Sequence, residues 1–264
     1  MIDLHCHILP GVDDGPSHVE ESLRMAEYAV ADGIHTLVAT PHTFSEAYHN
    51  PLPHILTHIA HLKKIIVDNQ IPLDIRPGAE VRIHQDMHRS VKEDKIVSIN
   101  NTGHYILVEF PYNMIIPGTR DVLFQLSLNG ITPVLAHPER NLALQRNPAI
   151  LSDLVTMGCL VQLTAMSITG ELGHDAMEYS HFLLKQGQAH VIATDSHNAE
   201  SRPPILSSAV EVTGHILGDT EAAEALVTVN PRIILDGKPL DPPEPRKTSK
   251  KPGWRERWFG RKNY

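Results

Sequence analysis

His5 and His7 stand two residues apart in Ile2-Asp3-Leu4-His5-Cys6-His7. On a strand that spacing turns both imidazoles to one face and Cys6 to the other, so the pair can chelate one divalent ion. A chain with 18 histidines could hold one such pair by chance. The residues that follow make chance a poor account. Asp14 comes in Val12-Asp13-Asp14-Gly15, His42 closes the run 35–42, Glu80 the run 73–80, Glu109 the run 105–109 and His137 the run 132–137, while Asp195 and His197 form a second pair at the same spacing after 190–194. A carboxylate or imidazole at the end of a buried strand is costly unless something pairs with it. Its recurrence points to one shared metal centre built from His5, His7, Asp14, His42, Glu80, Glu109, His137, Asp195 and His197. Mixed imidazole and carboxylate donors without thiolate suit Mn, Fe, Co or Zn, and ions of this kind activate water for hydrolysis.

A cysteine nucleophile is excluded by inspection. Phosphatase chemistry of that type needs an arginine six positions after the cysteine; Val12 stands at that spacing from Cys6 and Ala165 from Cys159. Two cysteines without a Cys-x-x-Cys also argue against a disulfide scaffold or a zinc ribbon. Arg140 follows His137 directly in His137-Pro138-Glu139-Arg140, where its planar fork could grip two phosphate oxygens, and Arg202 stands just beyond the last pair. Asp13 reads as a turn residue or as a support for a ligand. His54, His58 and His61 have helical spacing and are read as surface residues.

The elements that must position these groups alternate. Strands are predicted at about 2–7, 35–40, 73–80, 105–110, 132–137, 160–164 and 189–195. A capping box at Ser17-His18-Val19-Glu20 opens a helix that runs to Gly33, and further helices are predicted near 53–69, 119–129, 147–157, 175–186 and 203–217, with Gly130, Gly158 and Gly187 as stops. This is the pattern of a parallel sheet with crossover helices. An open doubly wound sheet fits it too. A closed barrel is favoured because it gathers all strand ends around one mouth, and no Gly-x-Gly-x-x-Gly or P-loop follows the first strand. At 264 residues and 41% hydrophobic content one globular domain is expected over residues 1–241. Without a membrane span or secretory signal the expected location is the cytoplasm.

The segments MIDLHCHILPGVDDGP, ATPH, PGAEVRI, ILVEFP, VLAHPERN and ATDSHN resemble, in order, the PHP (polymerase and histidinol phosphatase) superfamily. More narrowly they resemble the bacterial manganese-dependent protein-tyrosine phosphatases of capsule and exopolysaccharide loci, the CpsB/YwqE type. The resemblance implies the PHP fold, a distorted (β/α)7 TIM-like barrel, and three divalent ions with Mn foremost. One ion would be held by His5, His7, Glu80 and Asp195, a second by Glu80, Glu109 and His137, and a third by Asp14, His42 and His197. It implies Arg140 as a phosphate-binding catalytic residue, and Arg202, placed just after the last ligand, is a second candidate for that role. The activity implied is hydrolysis of phosphotyrosine on a cognate bacterial tyrosine kinase. Two alternatives share the ligand set: a small-molecule phosphatase such as one for histidinol phosphate, and a metal-stabilised module that docks on a kinase without turnover.

The chain changes character at Pro242-Pro243-Glu244-Pro245. From Arg246 onward eight Lys and Arg face the single acid Glu256, interleaved with Trp254, Trp258, Phe259 and Tyr264, in a chain whose net charge is −8. Residues 242–264 are therefore expected to form a flexible tail suited to an anionic membrane surface at the inner face of the membrane or to an acidic partner. The acidic body argues against nucleic acid.

Overall fold

Short runs of apolar residues, each bounded by a turn, become strands buried on both faces, as parallel strands under helices must be. The computed structural model describes residues 1–93 and 95–240. Its strands are β1 (Ile2–Cys6), β2 (Thr36–Ala39), β3 (His42–Thr43), β4 (Asp74–Pro77), β5 (Glu80–Arg82), β6 (Tyr105–Glu109), β7 (Thr132–Ala136), β8 (Leu160–Thr164) and β9 (Val191–Ala193). They form two parallel sheets in the orders β1-β2-β4 and β3-β5-β6-β7-β8-β9. The fold is thus α/β with parallel sheets.

Two expected strands are broken. The run 35–42 divides into β2 and β3 across Thr40-Pro41, and 73–80 into β4 and β5 across Gly78-Ala79. Pro41 lacks a backbone donor. Gly78 lies where a Cβ would come within 2.6 Å of Val38 Cγ1, so the two chains cross closely at the break. As a result His42 and Glu80 begin strands instead of ending them, and they pair directly in register across β3 and β5. Pairing continues over the break through Glu80 N donating to Pro41 O at 3.1 Å. At the other margin β1 meets the segment after β9: Asp195 N donates to His5 O, and His7 N to Ser196 O, each at 2.8 Å.

Successive strand residues feed two apolar clusters, as alternation requires. Leu37, Ile106, Leu135, Val161 and Ile192 join the larger one with helix residues such as Met25, Leu62, Leu123 and Leu151. Their neighbours Val38, Leu107, Val134, Leu160 and Val191 join a smaller one with Ile99, Ile234 and Leu235. By the two-residue period this second face continues into Glu109 and Gln162, so the polar groups stand above the smaller cluster.

The longer helices are α1 (Val19–Ala31), α2 (Leu52–Asp68), then, after the short α3 (Met87–Lys92), α4 (Thr119–Leu128). After α5 (Leu142–Arg146) come α6 (Pro148–Thr156), α7 (Ala165–Thr169), α8 (His174–Lys185) and α9 (Ser207–Leu217), closed by α10 (Thr220–Ala225) and α11 (Val229–Leu235). The predicted capping box is not formed: α1 starts at Val19 with extended His18 as its cap and no side-chain bond. The last long helix begins at Ser207 instead of 203, where Asp32 accepts from the backbone N of Leu206 and of Ser207. The prolines at 203 and 204 explain the delay. None of the described helices is long and apolar enough to cross a membrane. Residues 242–264 lie outside the described residues.

One buried histidine sets a pH dependence for the fold. His190 is 2% exposed, and its Nδ1 accepts from Val161 N at 2.9 Å. Burial pushes its imidazole down to about 4, against roughly 6.5 in an unfolded chain. Above pH 6.5 it is neutral in both states; as pH falls from there only the unfolded chain takes the proton, until the folded imidazole titrates as well. Stability is therefore lost on acidification, by about 2 kcal/mol between pH 7 and pH 5 from this group alone. Asn at this position keeps an acceptor for Val161 without the titration. Urea midpoints of wild type and His190→Asn should diverge between these pH values; parallel declines would contradict this.

Candidate metal centre

Seven candidate ligands lie at a strand end or in the loop beyond it, while His42 and Glu80 open β3 and β5. His5 and His7 leave the end of β1, and Glu109 ends β6. His137 and Asp195 follow β7 and β9 with φ of 32° and 51°. Left-handed backbone at non-glycine residues costs of order 1–3 kcal/mol each. At His137 it redirects a side chain that strict alternation from Ala136 would send to the opposite face.

All nine candidates converge. His5 Nε2 and His7 Nε2 lie 3.1 Å apart, each 3.4 Å from Glu80 Oε2 and 3.4 and 3.5 Å from Asp195 Oδ1. Glu80 is shared widely: its Oε1 meets His137 Nε2 at 2.7 Å, and its Oε2 lies 2.9 Å from His42 Nδ1. Glu109 Oε2 stands 3.7 Å from the same His42 nitrogen. On the outer side Asp14 Oδ1 lies 3.4 Å from both His42 Nε2 and His197 Nε2. Groups whose donor atoms fall close enough to share an ion are His7, Asp14, His42 and His197; His5, His7 and Glu80; His5, His137 and Asp195; and His42, Glu80 and Glu109. His42 stands nearer Glu109 than the resemblance implies, and His137 groups with His5 and Asp195.

The electrostatics are those of a charge cluster. Burial raises the Glu80 carboxyl, yet His5, His42 and His137 outweigh it and hold the group well below the carboxylate range. Asp195 behaves the same way, burial being overcome by His5, His7, His137 and Arg202. Glu109 goes the other way, pushed up by burial and by Glu80.

Supporting contacts fix these groups. Asp13 accepts from His7 Nδ1 at 2.6 Å, from Gly15 N at 3.0 Å and from His42 N at 3.0 Å, so it is both a turn residue and the orienting partner of His7. Gln162 Oε1 pairs with His5 Nδ1 at 2.9 Å. Buried Asp3 accepts from Thr194 N and Oγ1 and ties β1 to the approach to Asp195. Arg140 Nη1 and Arg202 Nη2 both reach Asp195 Oδ2, at 2.5 and 2.6 Å. Arg82 Nη2 meets Glu109 Oε2 at 3.1 Å.

Gly15 is a position where nothing larger fits. A Cβ there would lie 2.2 Å from His7 O, a backbone atom that cannot swing away. Gly15→Ala should cost about 2 kcal/mol and displace Asp13 and Asp14 together. Urea unfolding of the variant indistinguishable from wild type would refute this.

A cleft of about 600 Å³ opens over the cluster. Arg82, Arg140 and Arg202 reach it beside the carboxylates and imidazoles, and Phe44, Tyr48 and Ile116 give it an apolar rim. Tyr48 stacks on His42 with ring centroids 5.9 Å apart and planes 9° from parallel.

A parallel α/β fold with a histidine and carboxylate cluster beneath a cleft has the donor set of a metal centre, and comparison with known proteins narrows the class. Residues 1–236 match the family model described as capsular polysaccharide synthesis, CpsB/CapC. The tyrosine-protein phosphatase YwqE of Bacillus subtilis is 34% identical over 252 residues, 95% of this chain and 98% of that protein. The tyrosine-protein phosphatase CpsB of Streptococcus pneumoniae is 31% identical over 245 residues, 89% of this chain and 99% of that protein. Crystal structures of YwqE and CpsB, described as unique metal-dependent tyrosine phosphatases, include a chain that superimposes with a TM-score of 0.88 at 35% identity, covering 94% of this chain and all of that one. This chain belongs to the CpsB/CapC family.

Proposed function

We propose that this chain is a metal-dependent phosphomonoester hydrolase acting on phosphotyrosine, its nine convergent ligands holding three divalent ions with Mn²⁺ foremost. The observation that carries the metal assignment is the crowding of imidazole nitrogens around one buried carboxylate oxygen. Glu80 Oε2 is buried and forms no well-directed hydrogen bond among the described residues, although His42 Nδ1 lies 2.9 Å from it and His5 Nε2 and His7 Nε2 each 3.4 Å. Buried carboxylate oxygens are rarely left so unless a cation takes them. The donor set, imidazole and carboxylate without thiolate, fits Mn, Fe, Co or Zn.

His5, His7, Glu80 and Asp195 would hold one ion, Glu80, Glu109 and His137 a second, and Asp14, His42 and His197 a third. Bound there, divalent ions supply an activated water at neutral pH and neutralise charge on the phosphoryl oxygens. Arg140 orients the phosphoryl group with its forked guanidinium donors, and Arg202 beside it braces Asp195. Phe44, Tyr48 and Ile116 offer apolar surface to a phenyl ring entering the cleft. Asp13 and Gln162 hold His7 and His5 in the tautomer that leaves Nε2 free.

The strand pairing supports a closed seven-stranded barrel: β2 and β3 act as one bent strand, β4 and β5 as another, and the backbone bonds of Asp195 and His7 join the first strand to the last. The relatives' names favour a protein phosphotyrosine over a small phosphoester. A partner fitting that chemistry is a tyrosine-phosphorylated kinase of a capsule or exopolysaccharide system. Residues 242–264 would act as a separate basic tail that concentrates the enzyme at the inner membrane face; loss of vesicle co-flotation on deleting 246–264 is the expected result, and unchanged flotation would end that idea.

The test of the activity is phosphate release from a tyrosine-phosphorylated peptide by metal-stripped protein after Mn²⁺ is restored, with histidinol phosphate in parallel. Activity should return with metal, favour the peptide, and collapse in His137→Ala. No release from the peptide under any metal would overturn the proposal.

A further inference from the structure

We infer that His54 and His58 on α2 form an outer site for a single transition-metal ion of the Zn²⁺ or Ni²⁺ type, separate from the nine-ligand cluster. The i, i+4 spacing places both imidazoles on one helix face. Their rings stand 4.4 Å apart at 67°, and the two Nε2 atoms face each other at 3.0 Å. Two ligands at the usual zinc to nitrogen distance around a tetrahedral ion lie about 3.3 Å apart. The pair therefore needs to open by only a few tenths of an ångström.

Hydrogen bonding also settles which nitrogen of His54 is free. Buried Asn50 donates through Nδ2 to Val12 O at 3.1 Å and His42 O at 2.8 Å, which leaves Oδ1 as its acceptor. His54 Nδ1 lies 3.2 Å from that oxygen and must donate to it. In the neutral imidazole its Nε2 then carries the lone pair, aimed at His58 Nε2. In the absence of an ion one proton must sit between the two nitrogens; a divalent ion takes the place of that proton. A support of this kind, fixing tautomer and ring orientation from behind, is what metal-ligating histidines ordinarily possess. Burial, with His54 and His61 nearby, also keeps His58 easier to deprotonate than a free histidine.

Pure imidazole coordination without carboxylates separates this pair from the cluster in metal preference. Mn²⁺ stands lowest in affinity for nitrogen donors and Zn²⁺ and Ni²⁺ much higher. The full chain saturated with Mn²⁺ should accordingly still take up Zn²⁺ at the outer pair.

The experiment is calorimetric titration of Zn²⁺ into the Mn²⁺-saturated full chain, wild type against His54→Gln, His58→Gln and, as a remote control, His215→Gln. Any exchange at the nine-ligand cluster is common to all four proteins. Wild type and His215→Gln should bind one ion more than the other two, or bind it at least about tenfold more tightly. Circular dichroism checks that the variants are folded. Equal stoichiometry and affinity in all four proteins would overturn the inference.

Discussion

Glu80→Gln will lower kcat/KM for a phosphotyrosyl peptide by about 10³-fold or more, even with Mn²⁺ in excess, and will reduce the number of ions retained after dialysis. Gln has nearly the shape of Glu, so the packing of β5 survives and its side-chain oxygen can still meet His137. What disappears is the negative charge at the centre of the cluster. Glu80 is fully buried, and its two oxygens face His137 and His42 at 2.7 and 2.9 Å, with His5 and His7 at 3.4 Å. No described carboxylate approaches as many of the candidate imidazoles. An amide there presents an NH₂ group to an ion or to a ring nitrogen, which repels the first and satisfies only one tautomer of the second. Glu80→Asp keeps the charge but is one methylene short of spanning both sides, so it should recover part of the activity. A Glu80→Gln protein within tenfold of wild type, with its full complement of ions, would remove Glu80 from the centre of the mechanism.

The sequence made the candidate ligands legible for a physical reason. A polar, ionisable side chain at the end of an apolar run is conspicuous because burial makes it expensive, and all nine residues picked on that ground meet in space. Gln162 carries a similar signal, as the polar residue within Leu160–Thr164, and Arg82 shares the face of Glu80 two residues later; both were open to the same argument and escaped it. Tyr48 had no such signal. It reaches the cleft through an irregular segment between β3 and α2, where neither period applies, and its stacking on His42 depends on tertiary structure. The strand breaks were hidden as well. Periodicity sees 35–42 and 73–80 as continuous, and only the close crossing at Gly78 and the missing donor of Pro41 divide them. The short helices α3, α5, α7, α10 and α11 fell below the length at which a 3.6-residue period can be recognised. The capping box at Ser17 is not realised, since His18 is extended and the helix begins only at Val19, with no side-chain cap.

Arg140→Ala and Arg202→Ala will fail in different ways, although the two guanidinium groups share Asp195 Oδ2. Arg202 is built into its surroundings: its side chain also donates to Asp195 O at 2.7 Å, and its own carbonyl accepts from His197 N at 3.1 Å and from Ser196 Oγ at 2.7 Å. It braces the turn that presents Asp195 and His197. Arg140 holds Asp195 through Nη1, and it stands in a 3₁₀ turn, Pro138–Arg140, directly after His137. Its fork is the one that can turn to a phosphoryl group without dismantling a loop. Arg140→Ala should therefore lower kcat/KM by about 10²- to 10³-fold with little change in the Mn²⁺ concentration needed for half-maximal activity. Arg202→Ala should raise that concentration by about 10- to 100-fold and regain much of its activity when Mn²⁺ is abundant. Arg140→Lys should recover little, because an ammonium cannot offer two parallel donors. If excess Mn²⁺ rescues Arg140→Ala and leaves Arg202→Ala inactive, the roles are reversed: Arg202 then grips the phosphoryl group, and Arg140 serves to position Asp195.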